Sequence, residues 1–168
     1  MSDEATVLTD EADGVLVITI NRPEAKNAVN LPVAQGVAAA LERLDSDDSL
    51  RVGVLTGAGG TFCAGMDLKA FVSGEFPHIE GRGFGGMTER SADKPLIAAV
   101  EGYALAGGCE LAIACTVAVG VGSVSVVARK NDVQAPYHLA NERITDPINT
   151  VSYTHLTLPT IVPTILLV

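Results

Sequence analysis

The chain has 168 residues, 48% of them hydrophobic and 18% charged, which is enough apolar material for one sizeable core and argues against wholesale disorder. Its net charge is −9, and an acidic surface argues against nucleic acid, because phosphates are neutralised by clustered Lys and Arg. The acidic, polar start Met1-Ser-Asp-Glu-Ala5 is not a signal peptide, so a cytoplasmic protein is expected.

In chain order, Ala5–Leu8 and Val15–Ile20 read as strands joined by a turn at Glu11–Gly14. Asn21-Arg-Pro breaks the second strand. Asn30 is placed to cap a helix whose first turn holds Pro32, and Val33, Val37, Ala40, Leu41 and Leu44 recur at helical spacing through Leu44. Asp45–Ser49 is a polar exit loop. Arg51–Thr56 is a further strand, followed by Gly57-Ala-Gly-Gly and then a turn entering a short helix at Phe62–Lys69. Residues 72–93 are Gly-rich, charged and weakly patterned, and are expected to be a mobile segment with some helix. Leu96–Val100 is a buried strand, Gly102 begins a turn, and Gly107-Gly-Cys-Glu-Leu opens a helix through about Ala114. Strands alternating with helices predict an α/β architecture.

The pattern changes after Cys115. Residues 117–128 are mostly Val, Ala, Gly and Ser, residues 129–150 are polar and aperiodic, and residues 151–168 carry no Asp, Glu, Lys or Arg. Leu111–Ala128 has eighteen uncharged residues, the lower limit for a membrane span. It is poor in Leu and Phe, so a helix end running into a strand is expected, and no membrane association. Cys63, Cys109 and Cys115 are an odd number without metal spacing and read as buried free thiols.

Two segments can carry chemistry. Gly107-Gly108-Cys109-Glu110 sets a helix N-terminus, with its unpaired N–H groups, beside a carboxylate. Gly57–Lys69 is a strand-end loop with amides to spare. Taken singly, each fits ordinary packing equally well. Gly81-Arg-Gly-Phe-Gly-Gly86 fits a dinucleotide-binding spacing but follows no convincing strand, and reads as a loop. His78, His138 and His155 form no metal spacing, and no Ser-His-Asp set is evident.

Four segments together resemble the enoyl-CoA hydratase/isomerase (crotonase) family, in that family's order. They are Thr19-Ile-Asn-Arg-Pro-Glu-Ala-Lys-Asn-Ala-Val-Asn30, Gly57–Lys69, Lys94-Pro-Leu-Ile-Ala-Ala-Val-Glu-Gly-Tyr103 and Ala104-Leu-Ala-Gly-Gly-Cys-Glu-Leu-Ala-Ile-Ala-Cys115. The resemblance covers about 5–115 and implies a crotonase-like ββα spiral acting on an acyl- or enoyl-CoA. Coenzyme A would be part of the substrate, with no permanently bound cofactor and no metal. The implied activity is addition of water to a 2-enoyl-CoA thioester. Isomerase activity, or a non-catalytic acyl-CoA binder or inactive fragment, are the alternatives.

By the same resemblance, the amides of Met66 and Gly107 would hold the thioester oxygen and Glu110 would be the first catalytic carboxylate. Lys26, Ala28 and the run Ala64, Gly65, Met66, Asp67, Leu68, Lys69 would bind coenzyme A. The family continues with an acid where this chain has Thr116, and with a Pro-Glu carrying a second carboxylate; no Pro-Glu occurs in 117–150, where Asp132 and Glu142 stand in unlike contexts. Family members assemble as homotrimers or hexamers through C-terminal helices that have no counterpart here. Val151-Ser-Tyr-Thr-His-Leu-Thr-Leu-Pro-Thr160 resembles strings read from adaptor or frameshifted DNA. The expected organisation is therefore a truncated acyl-CoA-binding domain over 1–116 and a foreign tail over 117–168.

Overall fold

The computed structural model of the chain describes residues 5–127 and 165–167. Six strands form one sheet, and a two-stranded hairpin of β4 (His78–Ile79) and β5 (Gly83–Phe84) stands apart from it. Strands β1 (Val7–Ala12) and β2 (Val15–Ile20) are antiparallel. From β2 onward, β3 (Val52–Gly57), β6 (Leu96–Leu105), β7 (Val117–Val127) and β8 (Ile165–Leu167) join in parallel. Parallel neighbours need crossover connections. They are supplied by helix α1 (Leu31–Ser46) between β2 and β3, by helix α2 (Leu68–Val72) with the hairpin between β3 and β6, and by helix α3 (Gly107–Ala114) between β6 and β7.

Alternation of side chains along the strands builds the core. Leu16, Ile18 and Ile20 of β2, Leu55 of β3, and Leu96, Ala98 and Val100 of β6 are buried with Val33, Val37, Leu41 and Leu44 of α1. Gly53 continues the inward row, but a Cβ there would lie 2.7 Å from both Leu44 Cδ2 and Leu96 Cδ1. Those neighbours fill the space that its missing side chain leaves. Helix α1 starts as its sequence predicts: Asn30 Oδ1 accepts the Val33 N–H at 3.1 Å.

Several expectations are corrected. The first strand runs to Ala12, and the turn shrinks to Asp13-Gly14, both at positive φ (52° and 81°). This is the two-residue hairpin that an Asp-Gly pair favours. The strand lies at the sheet edge and is mostly exposed, so Thr9, Asp10 and Glu11 fit where no apolar alternation would reveal them. The strand at Leu96 does not turn at Gly102 but continues to Leu105. At Gly102 (φ 62°) the loop after β3 crosses so closely that a Cβ would lie 2.4 Å from the Gly60 carbonyl oxygen.

Residues 72–93 hold no helix beyond the end of α2; they form turns and the hairpin β4 (His78–Ile79) and β5 (Gly83–Phe84). Met87 is fully buried there, and a Cβ on Gly86 would meet the Ala34 carbonyl oxygen of α1 at 2.3 Å. Of the glycines that mimic a dinucleotide motif, Gly83 and Gly86 serve close packing, while Gly81 faces open space at positive φ. Val117–Val127, set outside the domain by the sequence reading, forms β7 against β6. The remainder of the expected tail, with Asp132, Glu142, His138 and His155, lies outside the described residues apart from β8. No described helix is long and apolar enough to cross a membrane.

Candidate active site

The site lies where β3 and β6 end, on the carboxyl side of a parallel sheet, where crevices form in open α/β folds. Each strand leads into a turn that presents backbone amides.

After β3, residues 62–67 form a short extended stretch clamped on both sides. On one side the Cys63 N–H donates to the Tyr103 carbonyl at 2.9 Å and the Leu105 N–H donates to the Cys63 carbonyl at 3.0 Å. On the other, the Ala64 N–H reaches the Lys26 carbonyl at 3.0 Å, the Val29 N–H reaches Gly65 at 2.8 Å, and the Asp67 N–H reaches Val29 at 2.9 Å. In this bridge between Val29 and Met66, the bonds toward Val29 come from the residues flanking Met66. Main-chain groups alternate along an extended chain, so the Met66 N–H faces away from Val29.

The neighbouring Gly65 meets the start of α3. Gly65 adopts φ +100°, and a Cβ on it would lie 2.9 Å from the Leu105 carbonyl oxygen and 3.3 Å from the Gly107 nitrogen. Only glycine allows the two turns to touch there. Ala106, just before the helix, has φ 46° and ψ −116°, an unusual conformation for a residue with a side chain. It swings the chain from β6 into α3. The first bond of α3 within the turn runs from the Glu110 N–H to the Ala106 carbonyl at 3.1 Å. Among the described residues neither the Met66 nor the Gly107 amide donates a hydrogen bond.

Glu110 sits half-buried in the first turn of α3. Its position places it one turn or less from Gly107 along the helix. The Phe84 ring walls the same turn: a Cβ on Gly107 would lie 2.6 Å from two of its carbons.

The structure brings Lys26, Ala28, Ala64, Gly65, Met66, Asp67 and Gly107 into one assembly. Lys26 is exposed and at positive φ (53°), and Leu68 and Lys69 are exposed on α2. The Asp67 side chain faces inward to protein partners. Its Oδ1 caps α2 by accepting the Lys69 and Ala70 N–H groups at 3.0 and 3.2 Å, and its Oδ2 accepts Arg22 Nη2 at 2.9 Å. Burial pushes its carboxyl up, but the Ala70 amide, the Arg22 guanidinium and the Lys69 amide outweigh that and hold it below the ordinary carboxylate value.

Three residues of this assembly escaped the sequence reading. Arg22 also donates from Nη1 to the Ala28 carbonyl at 2.5 Å. Asn27, fully buried at φ 54°, donates to the Ala58 and Thr61 carbonyls at 2.8 and 2.5 Å and accepts the Arg22 N–H at 2.9 Å. The Cys63 thiol accepts the Gly65 N–H at 3.3 Å, and burial pushes it up to about 12, so it stays protonated. Arg22 and Asn27 stand in the Thr19–Asn30 segment that carries the resemblance, but outside any periodic pattern that would assign them a partner. Thr116, where the family has an acid, accepts the Leu96 N–H through its hydroxyl at 3.1 Å. All three cysteines are buried and none is in a disulfide.

Comparison with known proteins agrees with this architecture. Enoyl-CoA hydratase EchA1 of Mycobacterium marinum is 58% identical with TM-score 0.72, over 74% of this chain and 49% of that one. An enoyl-CoA hydratase structure from Mycobacterium tuberculosis H37Rv gives 57% and 0.72 over the same shares. Among curated proteins, the mevalonyl-coenzyme A hydratase of Beauveria bassiana is 43% identical over 65% of this chain and 43% of its own length. The chain thus spans less than half the length of that relative and about half of the solved structures. The family model for enoyl-CoA hydratase/isomerase matches residues 10–126, which takes in all of β7 but its last residue. By sequence and by its crotonase fold, the chain belongs to the enoyl-CoA hydratase/isomerase family.

Proposed function

We propose that this site binds the thioester of an enoyl-CoA and adds water across its double bond. The observation that carries the reading is the pair of unengaged amides, Met66 and Gly107, brought together through the Gly65–Gly107 contact with Glu110 in the same helical turn.

As water attacks the β-carbon, electron density moves through the conjugated system to the thioester oxygen. Two fixed N–H donors offset that charge, each contributing about 3–4 kcal/mol in the transition state. Glu110 accepts the proton that the attacking water releases, and the carbanionic α-carbon then takes a proton to complete the 3-hydroxyacyl-CoA. Glu110, newly protonated, is placed to return it. The exposed ammonium groups of Lys26 and Lys69 flank the clamped stretch and suit the phosphates of coenzyme A. No permanently bound cofactor is needed for these steps. One carboxylate in the α3 turn also suits a double-bond isomerase, which moves a single proton between two carbons of a 3-enoyl-CoA.

The test follows the conjugated thioester absorbance. Hydration lowers it when the full chain meets crotonyl-CoA, and isomerisation of a 3-enoyl-CoA raises it. Glu110→Gln is expected to cost about 100-fold or more in turnover while leaving acyl-CoA affinity largely intact. Near-parent turnover in that variant would reduce Glu110 to a helix-start residue. Saturable binding without either absorbance change identifies a binder, and no saturable binding removes the reading.

A further inference from the structure

We infer that Arg22 is a positioning residue for the thioester-oxygen donor at Met66, acting through Asp67 and Ala28. This rests on the reading of Met66 as a donor.

Residues 26–29 and 64–67 lie side by side as a miniature parallel ladder, held by the Lys26–Ala64, Gly65–Val29 and Val29–Asp67 bonds. These bonds fix how far the Met66 segment slides along its neighbour. All of them lie along one edge, and on the opposite edge the nearest main-chain bonds are those of Cys63 to β6, three residues before Met66, so the rotation of the Met66 peptide about its own axis is held less firmly than its slide. That rotation sets where the Met66 N–H points.

Arg22 supplies the missing restraint. Its fork holds one group on each rung side: Nη1 takes the Ala28 carbonyl at 2.5 Å and Nη2 takes the Asp67 carboxylate at 2.9 Å. Asp67 is the residue next to Met66, so a turn of the Met66 peptide must carry Asp67 with it. The same carboxylate caps α2 through Lys69 and Ala70, so the strap also fixes where that helix departs. Both charged side chains are shielded, at 17% and 13% exposure, where bulk salt screens a pair less than on the surface. A planar fork with two donors can serve two acceptors at once; a Lys ammonium on a flexible stem lacks that geometry. Asn27 fixes the start of the strap, since its Oδ1 accepts the Arg22 main-chain N–H. Donor strength at a developing oxyanion depends on direction as well as distance, so a strap that sets direction acts on the chemistry without touching substrate.

The experiment is difference infrared spectroscopy of carbonyl-13C crotonyl-CoA bound to the full chain, with calorimetric affinity and thermal melting measured in parallel. The parent is expected to lower the carbonyl stretch on binding. R22K and D67N are expected to lose the larger part of that lowering while affinity falls only a few-fold. R22A should lose it too, with partial recovery on adding guanidinium. Parent-like lowering in R22K and D67N, whatever their melting temperatures, would make the strap a mere strut and overturn the inference. These two variants keep the test valid if R22A does not fold. A parent that binds without lowering the stretch, or does not bind, would sink the Met66 donor assignment and this inference with it.

Discussion

The turn after β3 and the turn after β6, which carry the two amides of the proposed site, are held in place by different means. The first is wired by polar groups: the Arg22–Asp67 pair, the Asn27 side chain, the Cys63 thiol and the bonds to Lys26 and Val29. The second is fixed by contact. Gly107 lies under the Phe84 ring, a Cβ on Gly108 would lie 2.2 Å from the Cys63 carbonyl oxygen, and Ala106 takes the bend. Wiring tolerates changes of volume and fails with changes of charge. Close packing does the reverse, because backbone cannot withdraw from an added methyl.

The largest expected effect breaks the packed side. Gly108→Ala puts a methyl against the Cys63 main chain, which is pinned at both ends to β6. A loss of about 3 kcal/mol is expected, or roughly a 10 °C fall in melting temperature. The close contacts of Gly107→Ala are with the Phe84 ring, a side chain that can turn, and the Gly65 Cα lies at an ordinary 3.6 Å, so its melting point should fall clearly less. Equal falls, read by circular dichroism, would mean that the Cys63 backbone yields as easily as a ring.

The next effect sharpens the wired side. The Asp67 carboxyl is held below its ordinary value, so its ionised form favours the folded state. That contribution is fully present above the unfolded value of about 4 and disappears as pH falls through the lower folded value. Asp67→Asn should therefore melt below the parent at pH 7 and converge with it toward pH 3. A gap that persists unchanged at pH 3 would assign the loss to packing instead. Gly108→Ala should show no such convergence, which separates the two turns in one titration.

The smallest effect concerns the rim. Lys26→Glu and Lys69→Glu reverse exposed charges and should weaken coenzyme A binding several-fold at low ionic strength and less as salt is added. Calorimetry showing unchanged affinity for both would remove these lysines from the coenzyme A path.

The sequence disclosed the packed side better than the wired one. Strand β2 at Val15–Ile20 and helix α3 from Gly107 match their predicted bounds, because burial patterns and paired glycines are local signals. Asn30 and Pro32 likewise announced α1. The edge strand β1 gave little sign beyond Leu8, since its outward residues have no core to alternate against. The hairpin β4-β5 gave no sign because its strands are two residues each, and Gly85 and Gly86 just after it are fitted to α3 and α1, elements distant in sequence. Arg22 was missed for the same reason. Its carboxylate partner lies 45 residues on, and nothing in the periodicity of either segment couples them. Asp67 was expected to face coenzyme A, and its carboxylate is instead committed to Arg22 and α2.

Both oxygen-facing groups of the proposed site belong to the peptide chain. The side chain at Met66 is half-buried beside them and supplies none of the donors. Any residue except proline offers the same N–H at that position. Inherited variation there can therefore recontour the wall next to the thioester while the reacting centre stays chemically unaltered. One position is thus open to evolutionary exploration of substrate shape at little risk, while its neighbours Gly65 and Asp67 bear nearly all of the constraint.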